Sequence, residues 1–362
     1  MKRRALKTED IERVIVRGTN WVGDSVMMIP ALRELRRVLP HAHITLATRS
    51  WSQGIFSDAD FIDDIIIYDR GARDFGAVWQ QMRAWRKRSF DLALLFQNAF
   101  EAALIATLAG VPNRLGYATD NRRLLLTHPI QLPTWRGARH EVFYYLNIIR
   151  ELEESLYGAS DTMNHAPVFA LEVSEARRNE ARVILREHGA HVDRTLVALC
   201  PGSTNSRAKR WPAHNYAALA DQLIEHAGAE VLLVGAPDEK SVSQEVAAQM
   251  RHEPVMLTGC TSLAQLTAVL SLVDLLVTND TGPAHIAAAL ERPTIVLFGP
   301  TDPTTTRPFS NSADIVRRPP ACAPCMLRDC PIDHRCMTAI TPEEVYVRAI
   351  QLLKTTRVEA TV

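Results

Sequence analysis

Short apolar blocks separated by amphipathic stretches recur along most of the chain. Val14–Arg17, His43–Thr48 and Asp91–Phe96 read as buried strands, and Asp24–Val38, between the first two, carries its apolar residues at helical spacing. Strand alternating with helix predicts a parallel sheet covered by helices. After a polar stretch near Ser155–Ala166 the pattern restarts, with strands predicted at Leu196–Leu199, Val231–Val234, Leu275–Thr278 and Thr294–Phe298. Between the two halves, Ser174–His188 is rich in Glu, Ala and Arg and is followed by Gly189, which predicts a helix and its cap. A last helical pattern covers Pro342–Lys354.

Length agrees with two halves. A chain of 362 residues exceeds the roughly 250–300 at which one hydrophobic core stops growing. The expected division is 1–173, 174–340 and a C-terminal helix over 341–362 that packs back on the domain junction. Two doubly wound Rossmann-like sheets facing a central cleft would gather ligands at the carboxyl ends of their strands. Lys plus Arg and Asp plus Glu both total 41, so nothing global marks a nucleic-acid binder, and an anionic partner must meet a local patch. The start, MKRRALKTEDIERVIV, is basic without an apolar core segment, and no apolar run approaches the ~20 residues of a bilayer span. A cytoplasmic location is expected.

The loops after the strands carry the candidate chemistry. Gly18-Thr19-Asn20-Trp21-Val22-Gly23-Asp24-Ser25 has the glycine spacing of a phosphate loop with Asp24 where a lysine would stand. A carboxylate there repels phosphate and suits a general base, although an Asp at this point also suits a helix N-cap. PGSTNSRAKRWP follows the strand Leu196–Leu199 and offers Ser203, Thr204 and Lys209 to an anion. Asn279-Asp280-Thr281-Gly282-Pro283 leads from a buried strand into an alanine-rich helix, where Gly282 permits close backbone approach and the helix dipole favours phosphate. Asp280 could accept sugar hydroxyls, and His285 sits one turn into that helix, as a site residue or as a core histidine.

Arg114, Tyr117, Arg122, Arg123 and His140, with Arg136 and Arg139, are candidate contacts for an acidic acceptor. Cys322, Cys325, Cys330 and Cys336 supply enough thiols for a structural zinc, but their compact spacing lacks paired knuckles, and zinc is the less favoured reading.

Taken in order, RGTNWVGDSVMMIPALRELRR, RLGY at Arg114–Tyr117, HEVFYYL at His140–Leu146, PGSTNSRAKRWP and TNDTGPAHIAAALERPTIVLFGPTDP resemble glycosyltransferase family 9, the lipopolysaccharide heptosyltransferases. The resemblance implies a GT-B fold and inverting, metal-independent transfer of L-glycero-D-manno-heptose. The donor would be ADP-heptose, and the acceptor the first heptose of the Kdo-lipid A inner core. It also implies transient association with the cytoplasmic face of the inner membrane, where that acceptor is anchored. Asp24 then matches the proposed base. Ser203, Thr204, Lys209, Asp280, Thr281, Gly282 and His285 match donor-site positions, and Arg114, Tyr117, Arg122, Arg123 and His140 remain acceptor candidates. In GAPDEK, Pro237 stands where a related pattern has a nucleotide-contacting carboxylate, which leaves the ribose contacts open. Competing readings are a family member with another acceptor, a sugar-nucleotide epimerase or hydrolase on the same fold, and a catalytically silent nucleotide-sugar-binding module.

Overall fold

The structure is a computed structural model that describes residues 6–69 and 75–359. The basic start over 1–5 and the last three residues of the C-terminal segment lie outside that range. The chain divides into two compact units, Met1–Phe169 and Ala170–Val362, each built on a six-stranded sheet with every pairing parallel.

In the first unit the strands are β1 (Arg13–Arg17), β2 (His43–Thr48), β3 (Asp64–Ile67), β4 (Leu92–Leu95), β5 (Asn113–Tyr117) and β6 (His128–Ile130), in the order β3-β2-β1-β4-β5-β6. Its helices are α1 (Val22–Met27), α2 (Ile29–Val38), α3 (Ser50–Gln53), α4 (Phe75–Arg88), α5 (Phe100–Leu108) and α6 (Glu141–Tyr157). The second unit repeats the plan with β7 (Leu196–Cys200), β8 (Glu230–Leu233), β9 (Val255–Met256), β10 (Leu275–Asn279), β11 (Thr294–Phe298) and β12 (Ala313–Arg317), in the order β12-β11-β10-β7-β8-β9. Its helices are α7 (Glu175–Glu187), α8 (Ala213–Ala227), α9 (Lys240–Ala247), α10 (Leu263–Leu270), α11 (Gly282–Ala289), α12 (Pro303–Thr306), α13 (Arg335–Thr338) and α14 (Pro342–Glu359). Both orders are the 3-2-1-4-5-6 pattern of a doubly wound sheet, with direction reversing between β1 and β4 and again between β7 and β10.

The strand cores explain why periodicity finds these elements. Val14, Ile15 and Val16 are fully buried, as are Val197, Ala198 and Leu199, because helices cover both faces of each sheet. On one face of the first sheet, Ile15, Ala93 and Leu95 pack with Met82 and Trp85 of α4 and Ala102, Ala103 and Ile105 of α5. The helix expected over Asp24–Val38 is two helices with a break at Met28. Pro30 lacks the N–H that would continue the first helix, and it occupies the first turn of the second instead. Arg114–Tyr117, outside the strands expected from periodicity, forms most of β5. Gly189 adopts a positive φ of 85° just after α7, as its capping role requires. The C-terminal helix α14 lies against α8, with Val345, Ala349 and Leu353 entering the second unit's core.

Candidate functional site

The sequence motifs converge on the two reversal points. In the second unit the loop after β7 and the loop after β10 are neighbours because those strands are paired. Lys209 ends a 3-10 turn, Arg207–Lys209, and its Nζ donates to Asp280 Oδ2 at 2.7 Å and to the Asp280 carbonyl at 3.1 Å, closing the gap between the loops. Asp280 is only 6% exposed and its Oδ2 also accepts from the Thr301 hydroxyl at 2.8 Å, so the loop after β11 joins the same knot. Lys209 keeps 25% of its side chain exposed, which leaves a cation at the surface of the knot. Thr281 is the N-cap of α11 and Gly282 its first residue, so the positive end of the helix opens beside the pair. His285 lies one turn in and is buried.

Two residues that sequence reasoning passed over tie these loops down. Asn279 is fully buried; its amide donates to the carbonyls of Pro201 and Gly202, and its Oδ1 accepts from the Trp211 amide and the Tyr216 hydroxyl. It thereby fixes the start of the Pro201–Lys209 segment to the end of β10. Glu239, in the turn after β8, accepts from the Ala236 amide at 2.8 Å and from Thr204 Oγ1 at 3.3 Å. Burial raises the Glu239 pKa, with the Ala236 hydrogen bond opposing the rise. A carboxylate is therefore present beside the β7 loop although Pro237 occupies the position at which one was sought. Ser203 is buried, and its carbonyl accepts from Arg210 at 3.0 Å.

At the first unit's reversal point, the Gly18–Asp24 loop leaves β1. Trp21, not Asp24, is the N-cap of α1, and Asp24 is the third helical residue, half-buried, in a first turn whose dipole favours a carboxylate. The loop is held from beneath. Tyr68 donates to the Gly18 carbonyl at 3.1 Å, Arg49 Nε to Asn20 Oδ1 at 2.9 Å, and the Trp51 indole to the Asn20 carbonyl at 3.0 Å. Arg17 lies 3.2 Å from the Tyr68 ring centroid and donates to Gln81 and Gln97. Burial lowers its pKa to about 10 while the nearby Tyr68 and Glu101 favour its charge. The Asp24 charge reaches Tyr145 of α6, whose phenol is raised first by burial and then by that carboxylate.

Most of the expected acceptor contacts are committed to the fold. Arg114 stands near the start of β5, at the amino end of the sheet, and donates to the Val111 and Leu125 carbonyls. Arg122 is fully buried and donates to the Tyr117 and Gln97 carbonyls and to Asn98 Oδ1, and burial lowers its pKa to about 10. Tyr117 is buried, stacked on Tyr144, with its hydroxyl on the Tyr144 carbonyl. Arg123 is exposed, in the turn Arg123–Leu125 between β5 and β6. His140 is the N-cap of α6, its Nδ1 accepting from the Val142 amide. Arg136 and Arg139 stay at the surface, stacked over Tyr144 and Phe143.

Of the four clustered cysteines, Cys336 is buried, and burial raises its pKa, with the charges of Cys330, Cys325 and Cys322 adding. Among the described residues no group of three or more His, Cys, Asp or Glu side chains could hold a metal ion, which leaves a zinc site there without support. The Cys322–Cys336 segment instead packs on the loop after β7: the Ala208 amide donates to the Arg328 carbonyl, and Ser206 to the Leu327 and Arg328 carbonyls. Among the described residues no helix is long and apolar enough to cross a membrane.

The profile of glycosyltransferase family 9 (heptosyltransferase) matches residues 78–335. Lipopolysaccharide heptosyltransferase 2 of Salmonella typhimurium (strain LT2) is 29% identical over 319 residues, covering 84% of this chain and 88% of the relative. The structure of E. coli ADP-heptose lipopolysaccharide heptosyltransferase II superposes with a TM-score of 0.80 at 27% identity, covering 95% of this chain and 99% of that one. A family 9 glycosyltransferase from Veillonella parvula DSM 2008 shares the fold, with a TM-score of 0.82 at 24% identity over 97% of this chain and 99% of that one.

Proposed function

The chain belongs to glycosyltransferase family 9 and is a glycosyltransferase, and from that premise we propose that it transfers L-glycero-D-manno-heptose from ADP-heptose to the first heptose of the Kdo-lipid A inner core, with inversion at the anomeric carbon. The Lys209–Asp280 pair across the second reversal point, beside the opening turn of α11, is the observation that carries the reading. A leaving ADP gains negative charge on its diphosphate as the glycosidic bond breaks. Lys209 and the Thr281–Gly282 start of α11 meet that charge with a cation and a dipole, and the Thr204 hydroxyl adds a donor by turning from Glu239 to the diphosphate. This allows the leaving group to depart without a catalytic metal. Asp280, held by Lys209 and Thr301, faces the sugar hydroxyls, with Ser203 and His285 completing the donor site.

Asp24 acts as general base, taking the proton from the acceptor hydroxyl as that oxygen attacks from the face opposite ADP. A single displacement of this kind inverts the anomeric centre. Arg136 and Arg139, exposed just ahead of α6, receive the acidic acceptor in place of the buried arginines. The enzyme works at the cytoplasmic face of the inner membrane, with which it associates peripherally because the acceptor's acyl chains stay in the bilayer.

The test is ADP release from ADP-heptose in EDTA, with and without heptosylated Kdo-lipid A, for the wild type and Asp24→Asn. Release that requires acceptor, survives EDTA and falls by about 10²–10⁴-fold in Asp24→Asn with donor binding intact is the expected result. Release that ignores the acceptor points to a donor-only hydrolase or epimerase. An undiminished Asp24→Asn rate removes Asp24 as the base.

A further inference from the structure

The outward side of α4 and α5 carries a feature that the transfer reaction does not use. On α4 the exposed positions Trp79, Arg83, Arg86 and Lys87 follow one another at helical spacing, and the stretch from Phe75 to Phe90 contains four basic residues and no acid. Arg83 stacks over Trp79, 4.4 Å from the ring centroid. Arg86 reaches α5 and donates to the Leu108 carbonyl at 2.5 Å, which sets a cation beside an exposed leucine. The strip continues into the turn Arg123–Leu125, joined to α5 by the Thr107 hydroxyl on the Leu125 carbonyl at 3.2 Å. Leu124, at 94% exposed, points its whole side chain into solvent, and Trp79 and Leu108 are 55% and 45% exposed.

Among the described residues no carboxylate is within ion-pair distance of Arg83, Arg86, Lys87 or Arg123. Asp64 is engaged by Arg88, and Glu101 turns inward to Arg17. An ordinary solvated helix face looks different. On α7, Arg178 and Arg182 both pair with Glu175, and charges of both signs alternate. Exposed Trp and Leu among unpaired cations combine the two signals that hold a protein on a membrane surface, apolar insertion and attraction to anionic headgroups.

We infer that the α4–α5 face, from Trp79 to Leu124, docks on an anionic lipid bilayer, with Trp79, Leu108 and Leu124 entering the interface and Arg83, Arg86, Lys87 and Arg123 contacting the headgroups. The inference rests on the reading that the acceptor is lipid-anchored, and it gives that acceptor's membrane a specific place on the enzyme. It also gives a task to Arg123, exposed in the turn between β5 and β6.

The experiment floats the full chain with vesicles of phosphatidylcholine alone or mixed with phosphatidylglycerol, with no donor or acceptor present, so the outcome does not depend on the transferase reading. The wild type should bind the mixed vesicles, release in high salt and ignore phosphatidylcholine. Each cation contributes on the order of fivefold to partitioning, so Arg86→Glu with Lys87→Glu should weaken binding by roughly thirtyfold or more. Leu124→Ser should weaken it several-fold, and Arg178→Glu with Arg182→Glu on α7 should leave it unchanged. Transfer to an acceptor stripped of its acyl chains should stay at the wild-type rate in the α4 and Leu124 variants, which shows that they fold. Equal binding to both vesicle types overturns the inference, as does unaltered binding by the α4 variant or an equal loss in the α7 variant.

Discussion

The proposed reaction gives the Lys209–Asp280 pair a chemical task beside its structural one, and substitution can separate them. Lys209→Met removes the counter-charge from a carboxylate that is only 6% exposed and leaves it with the Thr301 hydrogen bond. Breaking a fully buried pair costs about 3–5 kcal/mol. Here Lys209 is a quarter exposed and Thr301 remains, so water and one neutral donor offset part of the loss, and about 2 kcal/mol is expected. Adding Asp280→Asn removes the uncompensated charge while the side-chain oxygen still accepts from Thr301, so the double variant should recover about 1 kcal/mol or more. Turnover should behave oppositely. Loss of the cation at the departing diphosphate should lower kcat by about 10²–10³-fold, and the second substitution should restore none of it. Urea unfolding and steady-state ADP release on the four proteins of the cycle read both quantities. A double variant no more stable than Lys209→Met would show that the buried Asp280 charge is not the source of the cost. A Lys209→Met kcat within tenfold of wild type would remove Lys209 from the leaving-group site.

Glu153, buried near the end of α6, accepts from Ser160, from the Asp161 and Thr162 amides, from the Thr162 hydroxyl and from Arg37. Burial opposes its ionisation, but these bonds outweigh it and hold the pKa at about 2 against 4.5 in the unfolded chain. Because the folded value lies below the unfolded one, the stabilisation is complete above pH 4.5 and is lost as the pH falls toward 2. Glu153→Gln should therefore cost about 3 kcal/mol at neutral pH, shrinking below the unfolded value, and a stability difference that stays flat through acid would contradict this. Gly202→Ala would set a methyl group into the Glu239 carboxylate, so it should cost about 1–3 kcal/mol and raise the donor KM. Adding Glu239→Ala vacates the space and should return stability in thermal melts, and no recovery would mean that the overlap is not the cause.

The two parallel sheets were legible because every central strand is buried on both faces and reads as a continuous apolar run; Val14–Val16 and Val197–Leu199 are examples. β5 and β6 escaped notice for the opposite reason. Asn113-Arg114-Leu115-Gly116-Tyr117 has polar residues at its start and a glycine inside it, and β6 contains Pro129, all of which read as loop. The same polarity misdirected the search for acceptor contacts. Composition counts Arg114 and Arg122 as available cations, yet their donors go to the Val111, Leu125, Tyr117 and Gln97 carbonyls and to Asn98 Oδ1, an arrangement set by tertiary structure and invisible in spacing. Asn279 and Glu239 were missed likewise, since each binds loops far away in sequence. One signal was available for Glu239: it follows Gly235 by four residues at the end of a strand, with Gly202 at the equivalent place after β7, and two glycines facing a carboxylate leave it room to approach the backbone.

The two reversal points share a topology and differ in charge. The loop after β1, the first strand of one unit, presents Asp24, and the loop after β7, the first strand of the other, presents Lys209. In a nucleotide-binding sheet that loop meets the phosphates, which the lysine attracts and the carboxylate repels. Arg49, Trp51 and Tyr68 hold the Gly18–Asn20 backbone and side chain by hydrogen bonds, with Arg17 against the Tyr68 ring, so the first loop is anchored ahead of its carboxylate. The proposed displacement uses this difference in charge, with Asp24 as its base and Lys209 at its leaving diphosphate. Under that proposal the donor's negative charge goes to the cation, and the proton goes to the loop that repels phosphate.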